Sequence, residues 1–265
     1  MGDGSAFQVA EGAPSHYQEQ VARFMLPISA ALVSAVVNRG DTVLDVACGT
    51  GIATRLAALA VGSSGKVVGS DLNQGMLDFA KSISAEEWPQ IAWEQASALD
   101  LPYEPRTFDR VICQQGVQFF PHPAAGLREM GRVAKPGGSV AVTVWSELST
   151  SPYFEALVEM LIDFAGVELA EISFSATEPQ IIEWFSEAHL PTPNVQLIEQ
   201  EVELPLMSEY LTSHMKALPW APAYFDLDDS TKTAAIAHVE NRLREYQTPT
   251  GVRTHFGSYL AHVNI

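Results

Sequence analysis

The chain has 265 residues, of which 47% are hydrophobic and 18% are charged, as expected for one large globular domain or two small ones. Its 15 basic and 32 acidic residues give a formal net charge of −17. Because phosphate binding depends on clustered basic residues, this composition disfavours nucleic acids and anionic membranes as partners. The two cysteines and seven histidines show no metal-ligand spacing, so neither a disulfide framework nor a metal site is predicted.

Residues 1–40 are predicted to form a helical cap. The start of the chain lacks the basic segment and apolar core of a signal peptide, and no apolar run reaches about 18 residues, so we expect a cytoplasmic protein. Helices are predicted to begin at Ser15, which provides a serine cap, and at Pro27. Tyr17 and Phe24 are candidates for covering a bound ligand, although simple packing on the domain accounts for them equally well.

The stretch from Val43 to Thr54 is predicted to run from a buried strand through a glycine turn into a helix. A turn of this kind places a small molecule at the carboxyl end of a parallel sheet. Gly49 and Gly51 are not followed by the third glycine of a dinucleotide fingerprint. Asp45, within the strand, would repel a diphosphate but suits a ligand that carries an ammonium or sulfonium charge.

The second predicted strand ends at Asp71, about 20 residues beyond Gly51. A mononucleotide-binding unit places a carboxylate at this distance, where it accepts two hydrogen bonds from the ribose hydroxyls. The alternative is that Asp71 caps the following helix. Leu72 is positioned to lie against an adenine ring, and Met76 on that helix either contacts the nucleoside or belongs to the core.

Two further strands are predicted near residues 90–95 and 107–115. The second of them ends in Gln114 and Gln115, at the topological switch point where ligands bind in open sheets. Phe119 follows as either a substrate wall or a core residue. Strands that alternate with helices at this spacing indicate a doubly wound parallel α/β sheet.

Four segments resemble the motifs of the class I S-adenosylmethionine-dependent methyltransferases, in order and at the family spacing. They are Val43–Thr54 (hydrophobic-D-x-x-x-G-x-G), Ala96–Tyr103 (G-D-A-x-x-L-P-F), Thr107–Val111 (F-D-x-V) and Leu127–Gly138 (L-x-E-x-x-R-V-L-K-P-G-G). The resemblance is nearest to the small-molecule branch that includes ubiquinone and menaquinone biosynthesis enzymes. In the second motif Ser97 replaces the usual acid, which weakens the expected hydrogen bond to adenine.

The resemblance implies a Rossmann-like, seven-stranded sheet whose last strand is antiparallel, with S-adenosyl-L-methionine as cofactor. The main domain would span residues 41–265 and contain two lid segments, at about 150–192 and 205–247, over the acceptor pocket. The turn from Lys135 to Gly138 would be structural. The candidate cofactor-binding residues are Tyr17, Asp45, Ala47, Gly49, Gly51, Asp71, Leu72, Met76, Ser97, Ala98, Gln114 and Gln115.

The lid segments are rich in aromatic residues, which favours a small, apolar, aromatic or secondary-metabolite acceptor. The candidate substrate-binding residues are Phe24, Phe119, Trp145 and Trp220. His122 and His214 are candidate general bases, although an ordinary loop or helix histidine is the more frequent case.

Several alternatives remain at this point. The acceptor atom is oxygen, nitrogen or carbon, and a quinone-ring carbon is the main alternative acceptor. A fold relative that uses the bound sulfonium for a non-methyl reaction such as a cyclisation, and a non-catalytic partner protein, are the rival functions. The expected assembly is a monomer or a homodimer.

Overall fold

The computed structural model describes residues 13–84, 88, 91–168, 175–218 and 220–265. Residues 1–12 of the predicted cap and 169–174 of the first predicted lid segment therefore lie outside the described residues. Most of the described chain forms one sheet with helices packed on both of its faces.

The strands of the sheet lie in the order β3-β2-β1-β4-β5-β8-β6. They are β1 (Thr42–Val46), β2 (Lys66–Asp71), β3 (Ile91–Gln95), β4 (Phe108–Gln114), β5 (Ala134–Trp145), β6 (Asn194–Pro205), β7 (Gln247–Thr248) and β8 (Gly251–Asn264). The first five strands are parallel, and β8 is antiparallel to both β5 and β6. The predicted doubly wound fold with an antiparallel last strand is confirmed. The eighth strand is the short β7, which pairs with the start of β8.

The helices connect these strands and cover the two faces of the sheet. They are α1 (Ala13–Gln20), α2 (Ala22–Val36), α3 (Ile52–Val61), α4 (Gln74–Ser82), α5 (Pro123–Val133), α6 (Pro152–Ala165), α7 (Glu178–Glu187), α8 (Met207–Met215), α9 (Ala221–Phe225) and α10 (Asp229–Arg242). Among the described residues no single helix is long and apolar enough to cross a membrane. The two helices at 14–20 and 24–36 are long and apolar enough only when they are counted together, and they are bent by 85° at the break between them.

The predicted helix starts at Ser15 and Pro27 are wrong. The first helix already begins at Ala13, and α2 begins at Ala22 with Pro27 inside it. Phe24, Ile28 and Leu32 of α2 are at most 1% exposed. Because these residues share one helix face, burying them together outweighs the hydrogen bond that a proline removes from a helix interior.

The predicted turn from Lys135 to Gly138 lies inside β5. Ala134 pairs with Phe108 and Ser139 pairs with Arg110, so the intervening β5 residues bulge out of register. Gly137 has a φ of +80°, and its N–H donates a hydrogen bond of 2.7 Å to the carbonyl of Ile265. The glycines therefore form a bulge that still pairs with the end of the chain, and the strand starts earlier than predicted.

Most of the predicted lid packs against β5, β6 and β8, at the antiparallel end of the sheet, through one hydrophobic cluster. This cluster joins α2, α6, α8, α9 and α10 to β8, and at its centre Phe154 stacks on Phe256 with ring centroids 4.6 Å apart. Helix α7 is an exception, because Ile181 and Phe185 pack against α5 in a different cluster. Helix α7 therefore packs beside α5 rather than joining this cluster.

Candidate active site

One cavity lies at the carboxyl ends of the parallel strands, where β1 and β4 run side by side and the chain connections diverge to opposite sides. The residues that border it on the sheet side lie at the ends of β1, β2, β3 and β4 or in the segments that follow these strands. They are Ala47, Cys48, Gly49, Thr50, Ile52, Asp71, Leu72, Asn73, Met76, Ala96, Ser97, Ala98, Leu99, Gln114, Gln115, Gly116, Phe119 and Phe120. This is the position at which open α/β sheets bind ligands.

The opposite side of the cavity is formed by the N-terminal helices, the end of β5 and the lid. Its residues are Tyr17, Val21, Phe24, Met25, Trp145, Phe154, His214 and Leu218. Helix α1 is held over the glycine turn by a hydrogen bond of 2.9 Å from Thr50 Oγ1 to Gln18 Oε1. Tyr17 and Phe24, the two residues predicted to cover a ligand or to pack on the domain, both border this side of the cavity.

The glycine turn needs left-handed backbone at several positions. Ala47, Gly49 and Gly51 have φ values of 55°, 54° and 81°. Gly49 borders the cavity, and a Cβ there would meet no atom within 4 Å, so the backbone is open to a ligand. Gly51 does not border the cavity, contrary to prediction. It lies under the Trp93 ring, and a Cβ added to Gly51 would be 2.2 Å from the Cη2 atom of that ring.

The Gly51→Ala substitution should lower the free energy of unfolding by about 2 kcal/mol, because it adds a ring clash to a left-handed backbone. Gly49→Ala is the matched control, since it has the same backbone strain without a clash, and it should cost about 1 kcal/mol. Urea unfolding of both variants measures the difference. Equal stabilities would contradict the assigned role of Gly51.

Asp45 lies beneath the turn and does not border the cavity. It is 0% exposed, and Thr54 Oγ1 of α3 donates a hydrogen bond of 2.6 Å to its Oδ2. Its Oδ1 has no hydrogen-bond partner within the described residues. Burial raises the pKa of this carboxyl to about 7, with a smaller contribution from the charge of Asp71. The structure therefore does not support Asp45 as a cofactor-binding residue, since its carboxyl contacts Thr54 and does not border the cavity.

Asp71 borders the cavity and hydrogen-bonds both to the glycine turn after β1 and to the loop before α4. Its Oδ2 accepts a hydrogen bond from the Gly49 N–H and its Oδ1 accepts one from the Asn73 N–H, both at 2.8 Å. The residue that caps α4 is Asn73, whose Oδ1 accepts from the Met76 N–H, so the helix-cap alternative for Asp71 is wrong. Burial raises the pKa of Asp71, while the backbone hydrogen bonds oppose that shift. The carboxylate is thus held at the edge of the cavity.

Beside Asp71 the cavity wall is mostly apolar. Leu72 at the rim is 46% exposed, whereas Met76 is 5% exposed. Ser97 and Ala98 border the same region, and Ser97 Oγ accepts a hydrogen bond of 3.2 Å from the Leu99 N–H. Because Oγ is the acceptor in this bond, the Ser97 hydroxyl can still donate its proton in a hydrogen bond to a ring nitrogen of a nucleobase.

The two glutamines after β4 differ in their surroundings. Gln114 Oε1 accepts a hydrogen bond of 2.7 Å from Ser29 Oγ. Gln115 has a φ of 51°, and its Nε2 donates a hydrogen bond of 2.9 Å to Ser258 Oγ. Its Oε1 is buried without a partner in the described part of the chain. Both residues border the cavity.

The other end of the cavity is aromatic. Phe24, Phe119, Trp145 and Phe154 border it, and the first, third and fourth of these are at most 2% exposed. The prediction of Trp220 as a pocket wall is wrong, because Trp220 packs into the lid cluster at the start of α9. Leu218 borders the cavity in its place.

Neither candidate base fits the role of a general base. His122 is exposed at the start of α5 and does not border the cavity. His214 borders the cavity, but it is 1% exposed, and burial lowers its pKa to about 3. A base of that strength takes up little proton near neutral pH. The structure therefore does not support His122 as the base, and the lowered pKa disfavours His214 in that role.

Some residues of the site escaped the sequence analysis. Cys48, Thr50 and Asn73 are polar neighbours of predicted residues and could have been included by position alone. Phe154 and Leu218 carry no such signal, because their position depends on how the lid helices are rotated.

Comparisons with known proteins agree with this geometry. Residues 43–138 match the family of methyltransferase domains. The demethylmenaquinone methyltransferase of Staphylococcus aureus is 30% identical over 167 residues, which cover 63% of this chain and 68% of that protein. The chain belongs to the class I S-adenosylmethionine-dependent methyltransferases.

One further relative and one solved structure show how far the similarity extends. The 2-phytyl-1,4-naphtoquinone methyltransferase of Thermosynechococcus vestitus is 41% identical over 113 residues, or 43% of this chain. The match spans only 50% of the length of that relative. The crystal structure of a candidate methyltransferase from Bacillus halodurans has a TM-score of 0.62 and 19% identity, and it covers 88% of this chain and 96% of the other. That likeness shows the fold.

Proposed function

We propose that this protein transfers a methyl group from S-adenosylmethionine to a small, uncharged, aromatic acceptor. The observation that carries the proposal is the continuous cavity, which has a carboxylate at one end and an aromatic wall at the other. Among the described residues that border it, Asp71 is the only acidic one, and none is lysine or arginine. A cavity of this kind suits two ligands bound side by side, a polar one near the carboxylate and an apolar one near the aromatic wall.

The residues around Asp71 fit the cofactor. Asp71 would accept hydrogen bonds from the ribose hydroxyls, Leu72 and Met76 would cover the adenine ring, and Ser97 would contact its edge. The backbone at Gly49 leaves open space, and Gln114 and Gln115 border the same cavity, where the methionine half of the cofactor would lie. When bound, S-adenosylmethionine supplies a methyl group that its sulfonium already activates.

The remaining residues would position the acceptor and exclude water. The side chains of Phe24, Trp145 and Phe154 form a dry wall, and α1 closes the cavity above the glycine turn. An uncharged acceptor is favoured because the aromatic end has no ionic partner within the described residues. The weak basicity of His214 favours acceptors that need no strong protein base.

The names of the relatives favour a quinone-type ring as the acceptor. The two relatives are named for methylation of a phytyl naphthoquinone and of demethylmenaquinone. An aromatic ring with oxygen substituents would also fit the wall of Phe24, Trp145 and Phe154. Other neutral aromatic metabolites share this chemistry, so we propose the ring class rather than one compound.

Calorimetric titration tests the cofactor assignment. The folded protein should bind S-adenosylmethionine and S-adenosylhomocysteine with one site per chain. NAD⁺ is the matched control and should not bind, since the turn lacks the third glycine for a pyrophosphate. Failure of the folded protein to bind either sulfur compound would refute the proposed function.

A further inference from the structure

Tyr153 of α6 and His214 of α8 form a buried hydrogen bond at the aromatic end of the cavity. The Tyr153 Oη atom lies 2.6 Å from His214 Nδ1, and the two residues are 0% and 1% exposed. The Tyr210 ring stacks on the imidazole with centroids 5.2 Å apart, and Phe24 contacts it edge-on at 6.2 Å. The ring is thus held between aromatic neighbours while His214 borders the cavity.

Hydrogen-bond satisfaction decides which ring nitrogen of His214 carries the proton. If Nδ1 were protonated, it would donate to Tyr153, and the buried Tyr153 hydroxyl proton would have no acceptor among the described residues. Tyr153 therefore donates to Nδ1, and the imidazole proton is on Nε2. Burial lowers the pKa of His214 to about 3 and raises that of Tyr153 well above its usual value, so both groups stay neutral.

We propose that His214 donates a hydrogen bond from Nε2 to an oxygen atom of the acceptor, and that Tyr153 is the positioning residue that holds this tautomer. Nε2 makes no hydrogen bond within the described part of the chain, and His214 borders the cavity beside Phe24 and Leu218. This inference rests on the proposed function and narrows it. The acceptor carries a carbonyl, ether or hydroxyl oxygen, since only a lone pair can receive the Nε2 proton.

The same bond limits which atom is methylated. An oxygen whose lone pair accepts a hydrogen bond from Nε2 is a poorer nucleophile than a free one. The oxygen that His214 binds is therefore disfavoured as the methyl acceptor and instead orients the ring system.

Two small probes that differ by one oxygen test the contact. 1-Tetralone has a carbonyl that accepts a hydrogen bond, and tetralin has none. With S-adenosylhomocysteine present, the wild-type protein should bind 1-tetralone about fivefold to tenfold more tightly than tetralin by calorimetry. Equal binding of the two probes, or no detectable binding of either, would overturn the proposal.

Matched variants separate a hydrogen bond from a packing effect. His214→Asn places an amide near the Nδ1 position and should lose the preference for 1-tetralone. His214→Gln extends its amide nitrogen to the Nε2 position and should keep most of it. His238→Asn is the control, because His238 faces Glu159 outside the cavity. An unchanged preference in His214→Asn would overturn the proposal.

A spectroscopic readout tests the tautomer without any ligand. In a long-range ¹H–¹⁵N spectrum, His214 should show a pyrrole-type Nε2 and a pyridine-type Nδ1, unchanged between about pH 5 and about pH 8. Tyr153→Phe should allow both tautomers of His214. If Tyr153 had a purely structural role, the substitution would leave the tautomer unchanged. A pyridine-type Nε2 in the wild-type protein would overturn the inference. This spectrum does not depend on S-adenosylmethionine binding, so its result stands apart from that of the proposed function.

Discussion

Replacing Asp71 with alanine is expected to weaken S-adenosylmethionine binding by about 3 kcal/mol, or roughly a hundredfold in Kd. The loss has two causes. The ribose hydroxyls lose charge-assisted hydrogen bonds. The Gly49 N–H also loses its acceptor, so the turn that borders the cofactor is less firmly held. Isothermal titration calorimetry of the variant with S-adenosylmethionine measures the effect.

Two controls distinguish a binding role from a folding role. Asp71→Asn keeps one acceptor oxygen and should lose less affinity than Asp71→Ala. Asp78→Asn removes a carboxylate from the exposed face of α4, where it accepts a hydrogen bond from Gln74, and should bind normally. A thermal melt shows whether each variant is folded. Wild-type affinity in folded Asp71→Ala would refute the assignment of Asp71 to the ribose.

The buried carboxyl of Asp45 should make stability depend on pH. Its pKa is about 7 in the folded protein against a usual value of 3.8. The folded state therefore keeps a proton that the unfolded state releases as the pH rises from about 4 to about 7. Over this window the free energy of unfolding should fall by about 4 kcal/mol, at about 1.4 kcal/mol per pH unit, and Asp45 should contribute no further change above it.

Asp45→Asn isolates this contribution, because asparagine has a similar shape and does not titrate. Other carboxyls, such as Asp109 with its lowered pKa, contribute pH dependence of the opposite sign in both proteins. The quantity to measure is thus the difference in urea unfolding free energy between wild type and variant at each pH. We expect the wild type to lose stability relative to Asp45→Asn as the pH rises from about 4 to about 7. A difference that stays constant from pH 4 to pH 8 would show that the Asp45 pKa is unshifted.

The glycine turn and Asp71 could be predicted because their chemistry is local. The turn follows from glycine at positions of positive φ, and Asp71 from its distance along one βαβ unit. The direction in which Asp45 faces was not predictable in the same way. Its burial under Thr54 depends on how α3 packs against β1, which the spacing of residues does not specify.

The acceptor end of the cavity was predicted less well. Phe24, Phe119 and Trp145 were identified, but Trp220 was chosen where Leu218 and Phe154 border the cavity. All of these residues belong to an apolar cluster that joins helices and strands from distant parts of the chain. Which of them faces inward depends on long-range packing, as does the burial that makes His214 a weak base.

Product analysis with an isotopically labelled methyl donor tests the central claim most directly. The protein would be incubated with S-adenosylmethionine carrying a ¹³C-methyl group and with a panel of uncharged aromatic acceptors that includes a demethylated naphthoquinol. The account predicts one labelled methyl group on the product for each S-adenosylhomocysteine formed. Conversion of an acceptor without S-adenosylhomocysteine would indicate a reaction such as a cyclisation and would contradict it.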